Sequence, residues 1–161
     1  MDMILNLLEK NAKLTPREIA VMLGLNEEEV AEKIRGYEKS GVILGYQTLI
    51  NWDKTDREYV TAIIELKVSP TRDRGFDRIA EQIWNFSEVE SVQLMSSAGY
   101  DLMLIMEGRT MKEIAYFVAY KLATLEDIVS TATHFVLKKY KDKGIIYDPS
   151  EKRDEREQGM L

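Results

Sequence analysis

The chain reads as an α+β protein in two parts, and three observations predict this. Residues 1–50 carry helical periodicity with two sets of capping residues. From Tyr59 onward, strand and helix periodicities alternate in the order βαββαβ. Between them lies a polar, charged stretch, Asn51 to Glu58, with the composition of a linker.

In the first part, Ile4, Leu5, Leu7 and Leu8 give residues 1–10 the apolar stripe of a helix, and Asn11 to Leu14 connect it to the next. Thr15 is an N-cap residue, Pro16 occupies the first helical position and Glu18 stands three after the cap. This is a capping box, with proline where its missing N–H costs nothing. Ile19, Ala20, Met22 and Leu23 supply an apolar face, and Gly24 ends the helix. After Leu25, Asn26 and Glu29 form a second cap, and Val30, Ile34 and Tyr37 recur at helical spacing up to Gly41. Two capped helices around so short a turn predict a helix-turn-helix, whose second helix can lie in a major groove. An ordinary corner of two helices has the same pattern. Val42 to Ile50 is rich in β-formers and predicts a ribbon, completing a winged helix-turn-helix over residues 1–50.

In the second part, Val60, Ala62, Ile64, Leu66 and Val68 alternate with Thr61, Glu65 and Lys67, as in a strand buried on one face, and Ser69-Pro70-Thr71 breaks it. Phe76, Ile79, Ala80, Ile83 and Trp84 mark an amphipathic helix reaching Phe86. Strands follow at 89–96 and 100–108, separated by Ser97-Ala98-Gly99. Thr110 and Glu113 cap a second helix with core residues Met111, Ile114, Phe117, Val118 and Leu122, and a last strand begins at Ile128. The order predicts a ferredoxin-like domain over 59–140, an antiparallel sheet with both helices on one face. The other face is left uncovered with apolar residues on it, which favours a homodimer. Residues 141–161 read as a charged tail in which Ile145, Ile146 and Tyr147 can dock.

Composition narrows the chemistry. Cysteine is absent and His134 is the single histidine, which excludes disulfides and thiolate metal sites and leaves no basis for a metal or cofactor. His134, Trp52 and Trp84 read as packing or interface residues. No apolar run approaches the roughly 20 residues that span a bilayer, and no signal peptide is apparent, so a cytoplasmic location without membrane association is expected. The net charge is −6, so any face for nucleic acid must come from local placement of bases.

The stretches ILNLLEKNAKLTPREIAVMLGL, VAEKIRGYEKSGVILGY and SSAGYDLMLIMEG, in this domain order, resemble the Lrp/AsnC ("feast/famine") family of bacterial and archaeal transcription regulators over about Met3 to Tyr140. Residues 38–43 and Gly99-Tyr100-Asp101 are the most specific parts. The resemblance implies a regulator rather than an enzyme. It implies that the winged helix binds double-stranded DNA, and that the second domain forms dimers, often assembled into tetramers or octamers, with an amino acid sensed between dimers. Arg17, Asn26, Lys33, Arg35 and Lys39 are the candidate DNA contacts, with Lys13 on the flank. The helix departs from the family pattern in opening with Glu27-Glu28-Glu29, which suit the positive end of the helix dipole but repel phosphate. Some relatives of this architecture have lost DNA binding and act as tetrapyrrole decarboxylases or metabolite sensors, and the acidic helix is the one feature pointing that way.

Ser96, Ser97, Gly99, Tyr100 and Asp101 form the candidate effector turn. Backbone donors beside a glycine suit a ligand carboxylate, and a carboxylate such as Asp101 suits its ammonium. A structural turn, with Gly99 at positive φ and Asp101 bonding its own backbone, accounts for the same residues. Thr124, Glu126 and Asp127, before the last strand, are the second candidate segment.

Overall fold

The computed structural model describes residues 2–70 and 75–147. The chain divides into two compact units, Met1–Ile50 and Asn51–Leu161.

The first unit holds three helices, α1 (Met3–Lys10), α2 (Pro16–Leu23) and α3 (Glu27–Lys39). Thr15 accepts from the Glu18 amide while the Glu18 carboxylate accepts from the Thr15 amide, so the capping box forms as its spacing dictates. Gly24 closes α2 at φ 66°, a left-handed conformation that costs other residues strain. Asp2 caps α1, its Oδ1 accepting from the Ile4 amide at 2.9 Å. The Tyr37 hydroxyl donates to the same carboxylate and ties α3 to the start of α1. Ile4, Leu8, Ile19, Ala20 and Val30 are the buried centre, with Leu14, Leu23, Ile34 and Ile43 against them. The ribbon expected over 42–50 does not form paired strands here. The stretch is extended, Leu44 is 95% exposed, and Tyr46 is fixed by its hydroxyl donating to Glu38 Oε1 at 3.0 Å. Strand-forming residues became no strand because, among the described residues, no strand pairs with the segment.

In the second unit, Trp52–Lys54 makes a short 3₁₀ turn with the Arg57 guanidinium 4.2 Å from the Trp52 ring centre. Four strands then form one antiparallel sheet in the order β2-β3-β1-β4: β1 (Val60–Val68), β2 (Val89–Leu94), β3 (Leu102–Gly108) and β4 (Ile128–Phe135). Helices α4 (Gly75–Trp84) and α5 (Met111–Phe117) cover one face. Ile64 and Leu104 are paired across β1 and β3, and both are fully buried against Ile79, Ile83, Ile114 and Leu122. Burial of this kind stabilises by roughly 1.5–3 kcal/mol per large aliphatic side chain. On the opposite face the register aligns Ile63 with Ile105 and His134, and Glu65 with Met103 and Ala132.

The second helix does not stay α-helical to Leu122. From Val118 to Leu122 it widens into a π-helical turn. Beyond Phe135, Lys141–Asp142 and Ile145–Ile146 pair as a hairpin, β5 and β6. Its two turn residues, Lys143 and Gly144, lie at φ 43° and 84°, the left-handed pair that matches strand twist. The charged stretch expected from 141, in which Ile145, Ile146 and Tyr147 can dock, thus begins with this hairpin. Residues 148–161, and Thr71 of the expected strand break, lie outside the described residues.

Candidate effector site and DNA-facing helix

Both candidate effector segments are carried to the same place, the C-terminal end of β1. Because β3 and β4 flank β1 antiparallel, their first residues must lie beside its last ones. Asp101 sits just before β3. Its amide donates to the Leu66 carbonyl at 2.9 Å, its Oδ2 accepts from the Val68 amide at 3.0 Å, and its Oδ1 accepts from Lys67 Nζ at 3.1 Å. On the other flank the Asp127 carbonyl accepts from the Ser69 amide at 2.9 Å. The Val68 amide, and then the Lys67 ammonium, hold the Asp101 carboxyl below its ordinary range.

Around this point Ser96, Ser97, Gly99, Thr124 and Glu126 are exposed, while Tyr100 and Asp127 are half-buried. Ser97 Oγ accepts from the Gly99 amide at 3.3 Å, and Thr124 Oγ1 donates to the Lys121 carbonyl at 2.9 Å, ending the π-helical turn. Gly99 is not in the left-handed region, and a Cβ there would meet nothing within 4 Å. Asp101 bonds the neighbouring strand's backbone rather than its own turn. The structural alternative for this turn is therefore altered in both particulars. Lys67 belongs to the cluster and was missed by sequence reasoning. Alternation put it on the open face of β1, but pairing with a residue 34 positions later has no local signal.

On α3, Val30, Ile34 and Tyr37 face the core. Arg35 and Lys39 stand one turn apart on the far side, in line with Glu28 and Glu32. Lys33, two residues before Arg35, is rotated about 200° from it. Lys33 lies toward α1 instead, where its charge helps lower the Asp2 carboxyl. Lys33 therefore does not share the face of α3 that carries Arg35 and Lys39. Arg35 and Lys39 share a face, Lys33 lies on the flank, Arg17 is exposed in the first turn of α2, and Asn26 Oδ1 accepts from the Glu28 amide at 2.7 Å.

At the opposite end of β3 a cavity of about 290 Å³ is lined by Met106, Gly108, Ile114, Phe117, Tyr120 and Lys121. No sequence pattern announces it. Gly108 matters there because a Cβ would come within 3.0 Å of the Ile114 side chain. Among the described residues no cluster of three or more His, Cys, Asp or Glu could hold a metal ion, and no helix is long and apolar enough to cross a membrane.

Two family models match. "Winged helix-turn-helix DNA-binding" covers residues 3–43 and "Lrp/AsnC ligand binding domain" covers residues 61–146. The chain belongs to the Lrp/AsnC family of transcriptional regulators. It is 47% identical over 146 residues to YugG of Bacillus subtilis, an uncharacterized HTH-type transcriptional regulator, covering 90% of this chain and 87% of that one. It is 28% identical to the HTH-type regulator LrpA of Pyrococcus horikoshii, covering 86% of this chain and 94% of that one. Among solved structures, a transcriptional regulator of Neisseria meningitidis in complex with L-Met has the same fold, with a TM-score of 0.71 at 21% identity over 88% of this chain and 93% of that one. E. coli AsnC matches with a TM-score of 0.68 at 19% identity over 88% and 93%. The Lrp/AsnC assignment makes the first unit a DNA-binding helix-turn-helix and the second a ligand-binding domain.

Proposed function

We infer that this Lrp/AsnC regulator binds double-stranded DNA through α3 and changes its assembly on binding an amino acid at the C-terminal end of β1. The observation that carries the reading is the convergence of Asp101 and Asp127, one from each candidate segment, on Val68 and Ser69, remote in sequence but adjacent in the sheet. Ser96, Ser97 and Thr124 on these two segments are exposed and carry hydroxyls, Asp101 carries a carboxylate, and a zwitterionic ligand needs both donors and a carboxylate. The methionine held by the Neisseria relative makes amino acids the first class to test.

The uncovered face of the sheet, with Ile63, Met103, Ile105 and Ala132 on it, supports a homodimer packed sheet to sheet. Completion of the effector site by a second dimer couples ligand binding to the tetramer or octamer, because a ligand that prefers one assembly state must favour it. On the DNA side, Arg35 and Lys39 are the phosphate contacts that helix geometry favours, supplemented by Arg17. The row of glutamates makes each module weak, so affinity depends on several modules acting together. A regulator of this kind acts in the cytoplasm.

The test pairs electrophoretic mobility shift on the DNA upstream of its own gene with thermal-shift screening of the twenty L-amino acids. Light scattering follows assembly with and without each stabilising compound. A shift at moderate salt, plus one amino acid that raises the melting temperature and changes the mass, is expected. Absence of any amino-acid effect on melting or mass refutes the effector reading, and absence of a DNA shift refutes the regulator reading of α3.

A further inference from the structure

We propose that Lys67 holds the place at Asp101 Oδ1 that a ligand's ammonium would take, so that an α-amino acid binds by displacing it from Asp101. The inference rests on the effector reading of Asp101 given above. The Asp101 carboxylate has two different duties. Oδ2 is committed to the main chain, accepting from the Val68 amide at 3.0 Å where β1 ends. Oδ1 receives only a flexible partner, Lys67 Nζ at 3.1 Å.

The two partners differ in how easily they leave. The Val68 amide is part of the backbone at a buried residue, so its bond persists as long as the sheet does. The Lys67 side chain is 41% exposed, whereas that of Asp101 is 18% exposed. A half-exposed lysine on a four-carbon stem regains rotational freedom and water when it lets go, which makes such a pair cheap to exchange. A ligand ammonium offers the same charge and the same donors as Lys67 Nζ, so the two compete for Oδ1. The resident lysine also keeps the carboxylate compensated when no ligand is present.

The consequence is a selectivity rule. A compound with an ammonium beside a carboxylate can replace Lys67 at Oδ1. The corresponding 2-oxo acid, which has no ammonium, cannot, and meets only the compensated pair. Removing the competitor therefore strengthens binding of the first and not of the second.

The experiment is calorimetry of the full chain with the twenty L-amino acids and with the 2-oxo acids of leucine and methionine, comparing the parent with Lys67→Met, Lys67→Arg and Asp101→Asn. Lys67→Met keeps the stem and removes the charge, so amino-acid affinity should rise about two- to fivefold, the value of a half-exposed ion pair. Lys67→Arg should bind like the parent, and the 2-oxo acids should gain nothing from Lys67→Met. Unchanged or weakened amino-acid binding in Lys67→Met, with Asp101→Asn weakened, overturns the competition while leaving the effector site in place. Binding by Asp101→Asn equal to the parent overturns the effector reading of Asp101 and this inference with it. No binding by the parent or by Lys67→Met overturns both, whereas binding by Lys67→Met alone supports the displacement. Circular dichroism and sedimentation of each variant establish that the fold and mass being compared are the same.

Discussion

The helical unit and the sheet unit are built on opposite principles. The first is held by short-range devices: Asp2, Thr15 and Asn26 each cap the helix that follows, and Gly24 ends α2. Its buried centre is small, with Val30 the single fully covered residue from α3. The second depends on partners far apart in sequence. β1 is central because residues near 104 and near 133 lie on either side of it, and among the described residues thirteen buried ones from strands and helices share one core. A unit resting on local signals can present a helix with little supporting structure, while a unit resting on long-range pairing can bring separated loops to one point. The division suits the two tasks proposed for these units, reading a surface with one helix and enclosing a small molecule with several segments.

The largest expected effect tests that contrast directly. Ile64→Ala, in the middle of the sheet core, should destabilise the second unit by about 3–5 kcal/mol. Ile19→Ala, the same deletion in the smaller helical core, should fall nearer about 2–3 kcal/mol because thinner surroundings collapse around the lost volume more easily. Both side chains are fully buried, so exposure does not account for the difference. Urea denaturation followed by circular dichroism reads both, and equal losses would break the comparison.

The second effect separates the faces of α3. Alanine at both Arg35 and Lys39 should weaken binding to every DNA sequence and reduce the slope of log affinity against log salt by about 2, one for each phosphate left without its cation. Alanine at Lys33 should change the slope by well under 1, because that residue points toward α1. Glu28→Gln with Glu32→Gln, on the same row as Arg35, should strengthen non-specific binding. Fluorescence anisotropy across a salt series measures all three, and a Lys33 effect equal to that of the double variant would mean that α3 docks by its flank.

Thr15→Ala removes the hydroxyl that accepts from the Glu18 amide and should cost about 1 kcal/mol, confined to the helical unit. Hydrogen exchange should show faster opening of α2 amides with β1 and β3 unchanged. A loss shared by both units would mean that they unfold together.

The same contrast explains what could be read before the structure. Caps, helix ends and the buried face of β1 are legible because their causes lie within four residues or alternate by two. The order βαββαβ then narrows the sheet to a few arrangements. The ribbon at 42–50 misled because propensity reports what a residue tolerates, not whether a partner strand is present. The hairpin at 141–146 was hidden in a charged stretch whose Lys143-Gly144 turn is its only strong signal. In the effector cluster the residue types were readable, but their roles were not. That Asp101 bonds the Val68 amide and Lys67 is a fact of strand register, and register is a long-range property.

The smallest expected effect lies at that register contact and depends on pH. Asp101 is held below its ordinary pKa, first by the Val68 amide and then by Lys67. A carboxylate with a depressed folded-state pKa adds stability that is complete above its unfolded value near about 3.9 and is lost as pH falls through the folded value. Asparagine keeps an oxygen for the Val68 amide but carries no charge. Asp101→Asn should therefore lower stability at pH 7 by about 0.5–1 kcal/mol, a modest figure because Lys67 is half exposed and the ion pair is screened. The gap should stay constant down to about pH 5 and close below about pH 4, as the parent's carboxylate takes up its proton and the variant has none to take. Raising the salt concentration should narrow the gap at pH 7 by weakening the Lys67 pairing while leaving the backbone bond intact. Thermal unfolding of both proteins between pH 3 and pH 7 decides the matter. A gap that persists unchanged at pH 3 would show that asparagine acts by distorting the turn, and that the charge of Asp101 contributes nothing to the end of β1.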